Sequence, residues 1–130
     1  MRIVVHASGA VEDRAFMDLD AQAFQKVFEP KALGAWYLHR HTLDEKLHSF
    51  ILCSSVAASR GSAQQANYAA ANAFLDELSR LRAAHDLPTV SIQWPAVAPW
   101  LEEPEESSGA SGAMVWNGMP TGGSFMRLTN

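Results

Sequence analysis

The sequence predicts an α/β chain with three short parallel strands and helices between them. Three observations carry this reading. Apolar runs of strand length stand at Ile3–His6, Phe50–Cys53 and Thr89–Trp94, and β-branched residues are frequent in them. Two longer stretches between the runs carry apolar residues at helical spacing. The runs end in small, hydroxylated or proline residues, which is where strands give way to loops: His6-Ala7-Ser8-Gly9, Ser54-Ser55 and Pro95.

The first helix is expected from an N-cap at Asp20 to about Thr42. Phe24, Val27, Phe28, Ala35 and Leu38 share one face of it. Lys31 falls on that same face, where an ammonium is costly unless it finds a partner or snorkels. Pro30, just before it, should kink the helix or start a new turn. Phe50–Cys53 is a continuous apolar run, suited to a parallel strand covered on both faces. Ala57–Ala66 reads as a loop. Tyr68 to about His85 reads as an alanine-rich helix with Ala71, Phe74, Leu75, Leu78 and Leu81 inward. Leu87-Pro88 ends it.

The resulting order, β-α-β-α-β, implies parallel strands with right-handed crossovers: a partial, Rossmann-like sheet. From about Pro99 the sequence becomes acidic and rich in Gly and Ser. Residues 99–130 are therefore expected to form a flexible tail beside a folded unit of residues 1–98.

Composition bounds the function. The chain has 130 residues, 48% hydrophobic and 18% charged, and a net charge of −4, which gives no electrostatic support for nucleic acid or an anionic membrane. No apolar run approaches membrane-spanning length. The single cysteine, Cys53, excludes an internal disulfide, and a reducing, cytoplasmic compartment is the default expectation. His39 and His41 are two apart on a helix and point in different directions, so no metal pair is expected there.

Ligands in open parallel sheets bind at the carboxyl ends of the strands. His6–Gly9, Ser54-Ser55 and Pro95 all fall at that edge, and Tyr68 opens the helix that leaves it. Ser55 and Tyr68 are thirteen residues apart, and Asn72 lies one turn beyond Tyr68 on the same face. A carbonyl under reduction develops negative charge on oxygen, which needs a proton donor and a second hydrogen bond. Tyr68 suits the first role and Ser55 the second. A free phenol has a pKa near ~10, and a neighbouring ammonium lowers such a value. The inward-facing Lys31 is the natural source of that ammonium, and Asn72 could hold a water or backbone group in a proton relay. Singly, each residue has an ordinary structural reading. Their joint placement at one sheet edge gives the chemical one its weight.

At these residues the sequence resembles the ketoreductase domain of modular polyketide synthases, a branch of the short-chain dehydrogenase/reductase superfamily. The pieces that carry the resemblance are VVHASGAVED (Val4–Asp13), PKALGAW (Pro30–Trp36), FILCSSVAASRGSAQQANYAAANAFLDEL (Phe50–Leu78) and LPTVSIQWPAV (Leu87–Val97). It implies that Tyr68 is the proton donor, Ser55 rather than Ser54 binds the carbonyl, and Lys31 and Asn72 complete the set. It also implies NADPH as cofactor and a β-ketoacyl thioester on acyl carrier protein as substrate. His6, Ala7, Ser8, Gly9 and Pro95 would then line the nicotinamide side together with Lys31 and Tyr68. The family's Leu-Asp-Asp motif, associated with D-hydroxy products, here reads Val11-Glu12-Asp13 and keeps only the last aspartate. Members of the opposite type carry tryptophan where this chain has Arg60, so the resemblance leans toward the first type.

Two departures stand out. Pro95-Ala96 replaces the family's common Gly-Pro. The glycine-rich loop that holds the cofactor's pyrophosphate in the family would lie upstream of Val4, as would three strands, and this sequence has neither. That weighs against NADPH binding by this stretch alone, and it predicts a bare apolar edge at Ile3–His6. The chain thus reads as the catalytic half of the fold, a fragment of a longer synthase or a truncated gene product. Its partners would be the missing half and the remaining synthase domains. The alternative reading is a non-catalytic remnant serving as a structural or interaction module.

Overall fold

A computed structural model describes residues 1–95 together with Leu128–Thr129. In chain order the elements are strand β1 (Ile3–His6), a 3-10 turn (Phe16–Asp18), helix α1 (Ala21–Phe28), a π-helical turn (Glu29–Leu33) and helix α2 (Gly34–His41). Strand β2 (Ser49–Ser55), helices α3 (Ala57–Arg60) and α4 (Ala66–Ala84), and strands β3 (Val90–Trp94) and β4 (Leu128–Thr129) follow. The sheet order is β1-β2-β3-β4. The first three strands are parallel, with Val4 opposite Phe50 and Leu52 opposite Ser91. This is the expected β-α-β-α-β arrangement. One short antiparallel strand, β4, is added against Ser91 and Ile92. The acidic run of the tail and the rest of residues 96–127 lie outside the described residues.

Helices α2 and α4 pack on one face of the sheet, and α1 packs against α4. Phe50 and Leu52 alternate inward from β2, as period-two geometry requires, and meet Ala35, Leu75 and Leu78 in the core. Each buried leucine or phenylalanine among them contributes roughly 1.5–3 kcal/mol. β1 lies at the sheet edge, and its Ile3 and Val5 are 45% and 58% exposed, so the predicted apolar edge is present. No helix among the described residues is long and apolar enough to cross a membrane.

Asp20 caps α1 as expected, its carboxylate accepting from the Ala23 N–H at 2.7 Å. Pro30 explains the turn that follows. It has no N–H to donate to the carbonyl four residues back, and its ring crowds that carbonyl. The helix widens by one residue, and the Gly34 N–H reaches back five positions to the Glu29 carbonyl. The helical path then resumes to Thr42.

Two sequence expectations fail. Ala57–Arg60 is a short helix, not loop; its alanines and the turn at Val56 favour one more α-turn before Gly61, which adopts φ 73°. Leu81 is 41% exposed, and the inward position of that turn belongs to Arg82, 1% exposed. The guanidinium lies 4.0 Å from the Phe50 ring centroid and donates to His39 Nδ1 at 3.0 Å and to the Pro88 carbonyl at 3.3 Å. Cation–π contact and two acceptors offset part of the desolvation that a leucine would not incur, while Nε has no partner among the described residues. Burial, with Arg82 beside it, holds the His39 imidazole below its ordinary pKa, so the ring stays neutral and can accept.

Gly34 has a structural task. A Cβ there would lie 3.1 Å from His6 Cε1. His6 cannot yield, because its Nε2 is hydrogen-bonded to the Lys31 carbonyl at 2.7 Å. Helix propensity alone favours Gly34→Ala by about 1 kcal/mol. Overpacking against a fixed ring costs about 1–3 kcal/mol. The expected result is a net loss of stability in urea unfolding, reversed when His6→Ala is added.

Candidate active site

The sheet's carboxyl edge opens into a cleft of about 460 Å³, lined among others by Val11, Ser55, Gln65, Tyr68, Trp94 and Pro95. Ser55 is the last residue of β2, and Tyr68 lies in the first turn of α4. Local folding fixes both. The extended strand points Ser54 and Ser55 to opposite faces, and α3 brings the chain back so that α4 starts beside the strand end.

The two serines have different tasks. Ser54 Oγ donates to the Asn72 carbonyl at 3.2 Å and ties β2 to α4. Ser55 Oγ accepts from the Ala57 N–H at 3.2 Å, which leaves its own hydrogen free to donate into the cleft.

Lys31 is buried, 5% exposed, and its Nζ stands 5.4 Å from the Tyr68 ring centroid. The ammonium donates to the Cys53 carbonyl at 3.1 Å. Burial pushes the Lys31 pKa below 10.5. The π turn is what presents it: the Lys31 carbonyl is anchored by His6, and the side chain runs inward beside Gly9. A Cβ at Gly9 would lie 3.4 Å from Nζ, so the glycine leaves the ammonium open on that side.

Asn72 is fully buried. Its Nδ2 donates to the Tyr68 carbonyl at 2.8 Å, while Oδ1 has no partner among the described residues. That oxygen is an acceptor awaiting a donor.

Of the residues singled out from sequence, Ser55, Tyr68 and Pro95 meet in the cleft, and Lys31 and Asn72 stand behind Tyr68. Asp13 sits near the Val11 side, its carboxylate accepting from Gln65 Nε2 at 2.9 Å. Ala7, Ser8 and Gly9 are exposed after β1. His6 is instead buried, turned to the π turn, and held below its ordinary pKa mainly by that burial. Sequence reading passed over Asn67, Gln65 and the Cys53 carbonyl. A backbone carbonyl carries no sequence signal, and Asn67 and Gln65 act on residues more than 40 positions away. Among the described residues no cluster of His, Cys, Asp and Glu could hold a metal ion.

A parallel sheet of this kind, helices crossing between its strands, is Rossmann-like. The chain belongs to the KR domain family, whose sequence profile matches residues 1–99. It is 47% identical over 91 residues to the spectinabilin polyketide synthase system protein NorB of Streptomyces orinoci, covering 70% of this chain and 4% of that protein. It is 44% identical over 91 residues to the mycoketide-CoA synthase of Mycobacterium tuberculosis, covering 70% of this chain and 2% of that one. Among solved structures, the first ketoreductase of the tylosin polyketide synthase superposes with a TM-score of 0.74 at 37% identity, over 81% of this chain and 23% of that one. An A-type ketoreductase from a modular polyketide synthase superposes with a TM-score of 0.70 at 37% identity, over 72% of this chain and 20% of that one. The chain therefore spans a few per cent of these synthases and about a fifth of a solved ketoreductase chain.

Proposed function

We propose that this chain forms the catalytic half of a ketoreductase that uses NADPH to reduce a β-ketoacyl thioester on acyl carrier protein to the β-hydroxyacyl thioester. The observation that carries the reading is one cleft holding both Ser55 and Tyr68, with the Lys31 ammonium against the tyrosine ring. The ketone oxygen accepts hydrogen bonds from Ser55 Oγ and the Tyr68 hydroxyl. As negative charge grows on that oxygen, Tyr68 gives up its proton and Lys31 stabilises the phenolate left behind. Asn72 Oδ1, buried and without a partner among the described residues, suits a water that returns a proton toward this pair.

The residues present fit the nicotinamide end of the cofactor: a cation beside Tyr68, and a small-residue loop, Ala7–Gly9, whose glycine leaves that cation approachable. NADPH supplies the hydride when bound. The phosphate end needs donors that the described residues do not provide, so those are assigned to a cofactor-binding half that pairs with β1. The other synthase domains are the remaining partners. Asp13, the aspartate retained from the family's motif and hydrogen-bonded to the cleft residue Gln65, leans the proposal toward a D-hydroxy product by resemblance alone.

The test has two arms. NADPH is titrated into the purified 130-residue chain by calorimetry, with circular dichroism to verify folding. The same sequence is then joined to a ketoreductase cofactor half and offered a β-ketoacyl thioester. The expected result is a folded chain without saturable micromolar binding, and a joined domain that binds NADPH and consumes the ketone. A joined domain that binds NADPH yet leaves the ketone intact refutes the catalytic reading in favour of a structural module. Saturable binding by the chain alone refutes the assignment of the phosphate donors to another half.

A further inference from the structure

We propose that Gln93 is a positioning residue for Ser55: Asp76 aims its side-chain amide, the amide tethers α3 through Ser59, and α3 thereby holds the Ala57 N–H on the serine oxygen. The tether stands on geometry, and only its effect on turnover rests on the ketoreductase reading.

Ser91 and Gln93 are two apart on β3, so both face the side of the sheet that α4 covers. Asp76 reaches them from α4 and is 7% exposed. Its carboxylate accepts from Ser91 Oγ at 2.6 Å and from Gln93 Nε2 at 2.7 Å. A buried carboxylate is costly even with such donors. The same helix closes the core with Leu75 and Leu78, and an apolar residue at position 76 would avoid that cost. What the acid adds is direction. A carboxylate only accepts, so the Gln93 amide must turn its N–H toward Asp76 and its oxygen the other way. That oxygen accepts from Ser59 Oγ at 3.1 Å.

No other side chain of α3 hydrogen-bonds to another element among the described residues. The helix is a single turn. It is held otherwise by the buried Ala57 and by the Val56 N–H, which donates to the Trp94 carbonyl at 3.0 Å. Its first residue, Ala57, supplies the N–H that Ser55 Oγ accepts, and that bond orients the serine hydrogen toward the cleft. A turn that rocks takes this N–H off the oxygen and leaves the hydroxyl free to rotate. Asp76 and Gln93 are not among the residues lining the cleft, so they act on the serine through α3.

Ser59 is exposed, so its exchange spares the core. Ser59→Thr keeps the hydroxyl. Ser59→Ala loses it but is the better helix former of the two. A role in helix formation alone therefore favours alanine, and the tether favours threonine. In the 130-residue chain, hydrogen exchange of the Ala57, Arg60 and Gly61 amides is expected to quicken about threefold or more in Ser59→Ala and in Gln93→Met, and to stay within about twofold of wild type in Ser59→Thr. The Ala57 amide reports the bond to Ser55 directly. Both lesions cut one link, so Gln93→Met should add nothing in a Ser59→Ala background. Unchanged Ala57 exchange in Ser59→Ala and Gln93→Met, or faster exchange in the threonine variant than in the alanine one, overturns the proposal. In the joined domain, Ser59→Ala is expected to lower kcat about three- to tenfold with KM within about twofold, because an aimed hydrogen counts as charge develops on the ketone. Ser59→Thr should keep the wild-type kcat. A loss confined to KM, or no loss in Ser59→Ala, overturns the positioning role. A wild-type joined domain without turnover refutes the ketoreductase reading instead, and Ala57 exchange then decides the tether: quickened exchange supports it, unchanged exchange overturns it.

Discussion

In a domain completed by its cofactor half, Tyr68→Phe is expected to lower β-ketoacyl thioester reduction by about 10²–10⁴-fold, the usual worth of a positioned general acid. The phenylalanine keeps the ring that faces Lys31 Nζ at 5.4 Å, and it keeps the helix start that Asn67 secures. Folding and cofactor affinity should hold within about twofold, so the loss falls on kcat. Ser55 would still donate to the carbonyl, but no proton would arrive as the charge develops. The check is steady-state NADPH oxidation beside an NADPH titration of the same variant. Turnover within about tenfold of wild type would remove Tyr68 from the acid's role.

Lys31→Met should separate stability from activity. The ammonium is buried, and one carbonyl, that of Cys53, is its hydrogen-bond acceptor. Methionine fills similar space with no charge to desolvate. The variant is expected to gain about 1 kcal/mol, a rise of several degrees in Tm, and to lose reduction by about 10²-fold or more because nothing then stabilises the phenolate. Linkage gives an independent sign. Burial lowers the folded-state pKa of Lys31 below 10.5, so within that window the unfolded chain carries the extra proton. Stability contributed by this group rises as pH climbs through the window and levels off above 10.5. The wild type should show that upward slope in alkaline urea titrations, and Lys31→Met should not. A variant less stable than wild type, or one that keeps the slope, would mean that the ammonium is not the strained group.

Much of this was legible in the sequence because the signals are local. Alternation of strand and helix patterns gives the parallel sheet. The lysine on an apolar helix face, one residue after a proline, announces both the irregular turn and the inward ammonium. Serine, tyrosine and asparagine sit at spacings that a strand end and one helix make adjacent. What escaped depends on distant partners. Leu81 looks like a core residue until Phe50, His39 and Pro88 together make room for Arg82. Ala57–Arg60 borders a glycine, and its single turn leaves no periodicity to read. Asn67 looks like an ordinary polar residue beside a tyrosine, and only the fold brings Glu12 and Ala23 to it. His6 sits in a loop motif that suggests a ligand contact, yet the ring is spent on the Lys31 carbonyl.

The π turn at Glu29–Leu33 has a consequence for how this stretch can change length. A helix carries one residue about every 100°, and the widened turn absorbs one residue more than a straight helix would. Deleting a single residue there would relax the segment to regular α-helix and leave its two flanks near their present orientation, because the wide turn already absorbs the extra residue. Ala23, Val27 and Ala35 would stay docked, and what would move is Lys31, which lies inside the turn itself. Losing a residue here should therefore cost the placement of the ammonium more than it costs the fold. Chains that keep a lysine in this role should keep the count of residues between the Asp20 cap and Trp36 fixed.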